Sequence, residues 1–393
     1  MNNQLLNRRL FLQQLAFMGL LPLAGYTMPV LNAHVPLITE PALAKIKSWL
    51  KSMEDKKTGL LYYMDKGTAH FLSPLTTAKT AIWANCVDDK ILLKKYAQAI
   101  VFAQQIMAKT YPELKGALAS SYVRHKNGLV AGQYVYACEQ LVCISALLKA
   151  YSHFKEDSFL IAAHDNAMFI KRTFLNGYAL GAWNQPFPIP FNYLTTNQAF
   201  ENTMRNGVEY LWISAFLELY KHTHEYIWLQ LYQDALAFYK NSQADNGLWF
   251  DTFFPNKKTW AWYQTTNVVA DNMLRCAIAS TLVGEDKQVD HFLQQLERHH
   301  DKGLIMGYLS TIDANNGFIS QDKPYYDVVA TGLLRNLYML RGNYGLASQC
   351  QQTLTLLSDS KSGYFWGRYQ HDFSPVGKEK AVITTLWASA NLF

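Results

Sequence analysis

The sequence predicts an all-α protein, a closed (α/α)6 toroid of six helical hairpins with short β-hairpins in its rim loops. Three observations predict it. A glycine turn signature recurs six times, amphipathic runs of helical length lie between the turns, and these runs pair off completely only if the first partners the last.

The signature is a small polar residue, then Gly, then an apolar or aromatic residue. It occurs as Thr58-Gly59-Leu60, Asn127-Gly128-Leu129, Asn176-Gly177-Tyr178, Asn246-Gly247-Leu248, Asn316-Gly317-Phe318 and Ser362-Gly363-Tyr364. Gly, and often Asn, accepts positive φ, so such a pair marks a tight turn. The average spacing of about 61 residues is longer than that of the common solenoid repeats.

The first helices of the pairs are predicted at 75–87, 135–151, 200–223, 265–283, 325–340 and 379–392. The second helices are predicted at 92–109, 158–174, 224–242, 287–300 and 344–357, which is one too few. The run 42–53 supplies the missing partner, and pairing it with the C-terminal run would close the ring. An open array would leave both end helices with an exposed apolar face. The first helices carry small residues and follow the glycine loops, so they are expected to line the ring. The second helices carry Lys94, Lys95, Gln104, Gln105, Gln230, Gln233 and Asp234 and are expected to form the outer belt. Strand-like alternation is confined to pieces such as 248–254 and 364–369, expected on the rim.

Residues 1–33 read as an export signal and 34–393 as one helical domain. Arg8-Arg9-Leu10-Phe11-Leu12 precedes a short apolar stretch, a pattern that resembles the twin-arginine export signals. Asn7 and Gln13 depart from the commonest residues of that signal, so the general secretory route stays open. Tyr26 follows Leu-Ala-Gly where a lipoprotein would have Cys, and cleavage is expected after Ala33. No later stretch is long and apolar enough to span a bilayer. The expected location is periplasmic or secreted.

The net charge of +6 includes Arg8 and Arg9, which leaves about +4 after the leader. That bias suits an anionic substrate and is too weak for a nucleic-acid partner. The aromatic fraction is 14%, with 24 Tyr and 10 Trp, and such rings both fill helical cores and stack on sugars. Five cysteines, Cys86, Cys138, Cys143, Cys276 and Cys350, sit mostly in apolar helical patterns without metal-ligand spacing. They are expected to be buried free thiols. No metal and no cofactor is expected, since the chain has no EF-hand, P-loop or dinucleotide fingerprint.

Candidate site residues come from two segments. On a helix over 200–223, Asn202, Arg205, Asn206 and Glu209 would share one face, either as an Arg205–Glu209 bridge with amide caps or as a carboxylate and hydroxyl clamp. In 246–273, Trp249, Trp260 and Trp262 could form a sugar platform, with Asp251, Tyr263 and Asp271 as acid or base. Asp271 could instead pair with Arg275 one turn on. Arg124 and His125 on the loop before Gly128, Glu139 beside Cys138, and Asp327 at a helix start are further candidates.

Residues 116–282 resemble the C-terminal catalytic domain of the D-glucuronyl C5-epimerases. The resemblance lies in Gly132-Gln133-Tyr134, Glu139-Gln140, 146–151, Tyr193-Leu194-Thr195-Thr196, Asn206-Gly207 and Tyr263-Gln264-Thr265-Thr266. It implies proton transfer at uronate C5 by tyrosines and a glutamate. Tyr263 matches one tyrosine, while Phe250 stands in place of another and Phe191-Asn192 where acids are expected. The wider pattern resembles the carbohydrate-active six-hairpin glycosidases and lyases. The expected function is an exported enzyme acting on an acidic, uronate-containing polysaccharide by proton abstraction at C5, as an epimerase or lyase. The alternatives are a six-hairpin glycoside hydrolase, using Asp251 with Asp271 or Asp327, and a non-catalytic sugar-binding protein.

Overall fold

The structure is a computed structural model. It describes residues 40–63, 71–126, 128–173, 192–194, 204–205, 209–240, 243–244, 246–249, 252–255, 260–261, 268–282, 284–297, 311–313, 317–318, 326–358, 365, 368–370, 372, 374–375 and 382–390. The chain divides into the units Met1–Pro36 and Leu37–Phe393, and the described residues belong to the second. The expected leader lies outside them.

The fold is mostly helical. Among the described residues the helices are α1 (Glu40–Ser52), α2 (Pro74–Cys86), α3 (Lys90–Thr110), α4 (Ala137–Phe154), α5 (Asp157–Ile170) and α6 (Glu209–Thr223), followed by α7 (Tyr226–Lys240), α8 (Ala270–Leu282), α9 (Asp286–Glu297), α10 (Val328–Leu340), α11 (Tyr344–Leu357) and α12 (Val382–Ser389). Each of α2, α4, α6, α8 and α10 packs on the helix that follows it in sequence, forming hairpins. The even-numbered helices also pack in succession, α2 on α4, α4 on α6, α6 on α8, α8 on α10 and α10 on α12, and α12 packs on α2. The even helices are the ones most enclosed. In α2 every residue from Thr76 to Ala84 is buried, as is every residue of α10 from Ala330 to Met339.

Capping sets several helix starts. Ser73 caps α2, its Oγ accepting the Thr76 N–H at 3.2 Å, and Pro74 follows where a missing N–H costs nothing. Asp89 caps α3 through the Leu92 N–H at 3.1 Å, and Asp327 caps α10 through the Ala330 N–H at 2.9 Å. The glycine signature forms the expected positive-φ turns at Gly59 and Gly247, with φ of +76° and +85°, whereas Gly128 and Gly317 open short strands. A Cβ on Gly247 would also lie 2.8 Å from the His291 ring of α9.

Helices α4, α8 and α10 start later than the hydrophobic periodicity predicts, because short strands precede them. Strand β5 (Tyr134–Tyr136) leads into α4, β10 (Val268–Val269) into α8 and β13 (Tyr326–Asp327) into α10. Their β-branched and aromatic residues suit an extended ladder, and each finds a partner: Val135 opposite Tyr193, Val268 opposite Ile312 and Tyr326 opposite Tyr369. The expected helix over 200–223 is corrected in the same way. Met204–Arg205 is a strand, β7, paired with Phe253 and Thr252 of β8 (Thr252–Pro255), and the helix begins at Glu209. Arg205 and Glu209 therefore do not share a helical face. The Gly of Asn206-Gly207 opposes helix continuation by about 1 kcal/mol, and the ladder with β8 outweighs the helical pattern.

Helix α12 packs between α10 and α2. Trp83 Nε1 of α2 donates to Ser389 Oγ at 2.8 Å. The expected partnership with the N-terminal run is not the packing that makes this contact. Helix α1 is instead tied toward α3, by Lys47–Asp89 at 2.7 Å and Lys95–Glu54 at 2.6 Å. On its other side α12 meets Gly332 of α10, where a Cβ would lie 2.6 Å from the Trp387 carbonyl. Arg335, fully buried on α10, donates to Asn336 Oδ1, to Gln351 Oε1 at 2.8 Å, and to the carbonyls of Trp387, Ala388 and Ala390 at 3.2, 2.8 and 2.9 Å. These carbonyls end α12, and a guanidinium there satisfies the acceptors a helix leaves open and complements its dipole. Burial lowers the Arg335 pKa to about 10, so it stays charged at neutral pH.

Cys143, Cys276 and Cys350 are buried free thiols as expected, whereas Cys138 is half-buried and Cys86 is exposed at the end of α2. Among the described residues no helix is long and apolar enough to cross a membrane.

Replacing Arg335 by Met strands the three α12 carbonyls and should cost about 3–5 kcal/mol. Urea unfolding checks this through the midpoint. Arg335→Lys, which keeps the charge without the fork, should fall between Arg335→Met and the parent.

Candidate active site

The even helices bring a group of ionisable side chains together near their N-terminal ends. Glu139 is the third residue of α4, Asp271 the second of α8, and Asp327 the N-cap of α10. Acids are stabilised in these first turns by the positive end of the helix dipole. Lys79 enters from α2, Arg275 stands one turn after Asp271, and α12 supplies the Trp387 ring. Lys79 Nζ lies 5.5 Å and Arg275 Cζ 5.6 Å from the centre of that ring, so two cations share one indole. Arg275 Nη2 also reaches Asp271 Oδ2 at 3.2 Å.

Burial dominates the electrostatics. Lys79 is 7% exposed. Its pKa falls to about 7, first by desolvation and then by the charge of Arg275, against the opposing pull of Cys138, Asp271 and Glu139. Glu139 is half-buried, its Oε2 sealed from solvent and without a hydrogen-bond partner among the described residues. Desolvation pushes its carboxyl up to about 8, with Lys79 opposing. Asp327 is raised to about 6, by desolvation first and Asp271 second, against the Ala330 N–H and Arg368. Burial thus favours the protonated form of Glu139 and Asp327 and the neutral form of Lys79. Such groups can donate and accept protons near neutrality. Among the described residues no group of three or more His, Cys, Asp and Glu side chains is placed to hold a metal ion.

Of the residues expected from sequence, Asp271 belongs to this cluster and makes the i,i+4 pair with Arg275 that was the structural alternative for it. Arg124 lies in β3 (Tyr122–His125), where its guanidinium is held by both carboxylate oxygens of Asp55. That commitment leaves it a structural role. His125 is exposed at the end of β3, opposite Gly128. Trp249 is corrected from a sugar platform to a core residue: it is 1% exposed, edge-on to Phe292 of α9 at 5.6 Å. Its large apolar ring is stabilised more by that burial than by a place on the rim. Tyr193 is in β6 (Asn192–Leu194), opposite Val135 in the strand that enters α4. Arg205 lies in β7 and Glu209 opens α6. Asn202, Asn206, Asp251, Trp262 and Tyr263 lie outside the described residues.

Sequence reasoning marked Glu139 and Asp327 singly and missed Lys79 and Trp387. The available signal for Lys79 was a lone charge within the small, apolar run of α2.

No protein-family model matches the sequence, and no curated protein matches it. Solved structures do. An alpha-amylase from Clostridium perfringens aligns with a TM-score of 0.67 and 11% identity, over 88% of this chain and 96% of that one. The cellobiose 2-epimerase of Spirochaeta thermophila DSM 6192 gives 0.68 and 11%, over 89% and 94%. The alpha-1,6-mannanase GH76A of Salegentibacter sp. HEL1_6, in an inactive form bound to alpha-1,6-mannotriose, gives 0.58 and 11%, over 90% and 97%. These are (α/α)6 toroid enzymes, and at this identity the likeness is one of fold. It does not single out the glucuronyl C5-epimerases.

The raised Glu139 pKa has a signed consequence for stability. Between about 4.5 and 8 the folded protein holds a proton that the unfolded chain releases, so this group's contribution falls as pH rises through that window. Lys79 acts oppositely between about 7 and 10.5, where the unfolded chain holds the extra proton. Glu139→Gln should therefore match the parent near pH 4.5 and exceed it near pH 8, by on the order of 1–3 kcal/mol after allowance for solvent screening. Urea melts across that range check the crossover.

Proposed function

We propose that the chain is a closed (α/α)6 toroid whose working mouth is the N-terminal end of its inner, even-numbered helices, and that it is an exported enzyme acting on uronate-containing polysaccharide. The reaction is proton abstraction at C5, of the epimerase or lyase type. One observation carries this reading: Lys79, Glu139, the Asp271–Arg275 pair, Asp327 and Trp387 converge from five inner helices. Fold neighbours that act on sugars as epimerase, amylase and mannanase support a carbohydrate substrate.

Removing the hydrogen next to a carboxylate needs a base, cationic help for the carboxylate and an acid on the far face. Arg275 supplies positive charge, Lys79 an amine able to lose its proton, and Glu139 a held proton. Tyr134, exposed in the strand leading into α4 and stacked on Tyr136 at 6.4 Å, offers the mouth an aromatic face in place of the buried Trp249. Export rests on the Arg8-Arg9-Leu10-Phe11-Leu12 leader. Tyr263, Asp251, Trp262, Asn202, Asn206, Arg205, Glu209, Tyr193 and His125 stay in the proposal as rim residues on sequence grounds.

A second reading, glycoside hydrolysis, is favoured by one pairing: Glu139 as a protonated acid with Asp327 or Asp271 as the carboxylate opposite.

Incubation of the protein with polyglucuronate, polymannuronate or polygalacturonate in heavy water separates these readings. Deuterium at C5 without chain cleavage is the epimerase result, and ultraviolet absorbance of an unsaturated uronate is the lyase result. New reducing ends without either favour the hydrolase, and binding with no product leaves a sugar-binding protein.

A further inference from the structure

Two ionisable groups of the cluster make no hydrogen bond or ion pair among the described residues. Asp327 is spent on capping α10, and Asp271 and Arg275 hold each other. Lys79 touches the Trp387 ring and, among the described residues, makes no hydrogen bond or ion pair. Glu139 Oε2 is sealed and unpartnered among the same residues. Their helices, α2 and α4, pack directly on each other, and each side chain feels the other's charge. Yet no ion pair of 4.0 Å or less joins them. A buried lysine and glutamate on touching helices gain most by closing into contact. With no ion pair between them and the Glu139 acceptor left open, both keep hydrogen-bonding capacity for a polar group of a ligand.

Resting on the uronate reading above, we propose that Lys79 and Glu139 are the proton-exchanging pair. The Lys79 amine takes the hydrogen from the carbon beside the sugar carboxylate, and the Glu139 carboxylic acid returns one to the opposite face. In the first step the C–H bond breaks, its electron pair moves into the carboxylate to give an enediolate, and Lys79 becomes an ammonium. In the second step the enediolate carbon takes the Glu139 proton, leaving a carboxylate and the inverted centre. Exchange with water restores an amine and an acid, and no oxidant or reductant is needed.

The surroundings keep both groups ready. Lys79 is faced by Arg275 and Asp271 of α8, by Cys138 and Glu139 of α4 and by Trp387 of α12. Burial and Arg275 hold it near 7, and burial holds Glu139 near 8, so the uncharged forms of both coexist at neutral pH. A base beside a second cation and an acid in an apolar niche are recurrent routes to such values.

The test uses the full chain with the same three polyuronates in heavy water, comparing the parent, Lys79→Met and Glu139→Gln by exchange at C5 and by inversion. Lys79→Met should lose at least about 100-fold in both. Glu139→Gln should lose inversion to a similar extent while C5 exchange persists, because the base is intact. Exchange and inversion in Lys79→Met within about threefold of the parent overturn the pair and leave the uronate reading standing. A parent that exchanges no C5 hydrogen overturns that reading and the pair with it. Should Lys79→Met fail to fold by circular dichroism, Glu139→Gln decides alone: loss of inversion with retained exchange supports the pair, and unchanged inversion overturns it.

Discussion

The buried Arg335 guanidinium is the interaction on which the rest of this structure leans. It reaches from α10 to the last carbonyls of α12 and fixes the helix that packs on both α10 and α2. Helix α12 is short, eight residues, and without outside acceptors and donors so short a helix is marginal in water. Arg335 satisfies its C-terminal end, Gly332 lets α10 approach it closely, and Ser389 ties it to Trp83 of α2. Trp387 lies within this clamp. The same carbonyl that Arg335 grips belongs to the residue whose ring carries Lys79 and Arg275. The placement of α12 and the geometry of the ionisable cluster are therefore one mechanical problem, solved by one side chain.

A second consequence concerns charge. Each buried ionisable group at the mouth opposes folding at some pH, and their signs differ. Glu139 and Asp327 prefer to keep protons and Lys79 prefers to lose one. An uncharged acid beside an uncharged amine costs less in a low-dielectric interior than a separated ion pair. The helix starts soften the remainder, since Glu139, Asp271 and Asp327 all sit at positive dipole ends. The cluster can hold such groups because the scaffold around it, small residues on α2 and apolar residues on α10, is nearly sealed.

Much of the scaffold was legible in the sequence because periodicity and turn chemistry are local. The glycine signature located turns at Gly59 and Gly247, and the run 344–357 coincides with α11. The starts of α4, α8 and α10 were not legible. Val135, Val268 and Tyr326 fit a helical stripe as well as a strand, and only distant partners at Tyr193, Ile312 and Tyr369 decide between them. The site was harder still. Arg124 looked available because Asp55 lies 69 positions away. Trp249 looked like a rim aromatic because the turn before it does not say which way the ring points. Lys79 was passed over because a lone lysine in an apolar helix acquires meaning only when α4, α8 and α12 set Glu139, Arg275 and Trp387 around it.

The fold itself does not choose the reaction, since its neighbours include an epimerase, an amylase and a mannanase. The choice falls to the groups at the mouth. Hydrolysis asks for one acid and one carboxylate facing each other across a bond, and it has no use for an amine held near neutrality. Carbon acid chemistry asks for a base able to lose and regain a proton at working pH, positive charge near a carboxylate, and a second acid. Lys79, Arg275 and Glu139 match those three demands in type, and the side chains left over are already engaged in caps and ion pairs. The lysine is the discriminating feature: burying it beside Arg275 opposes folding at neutral pH, and neither the ring nor a hydrolytic pair of carboxylates requires it there.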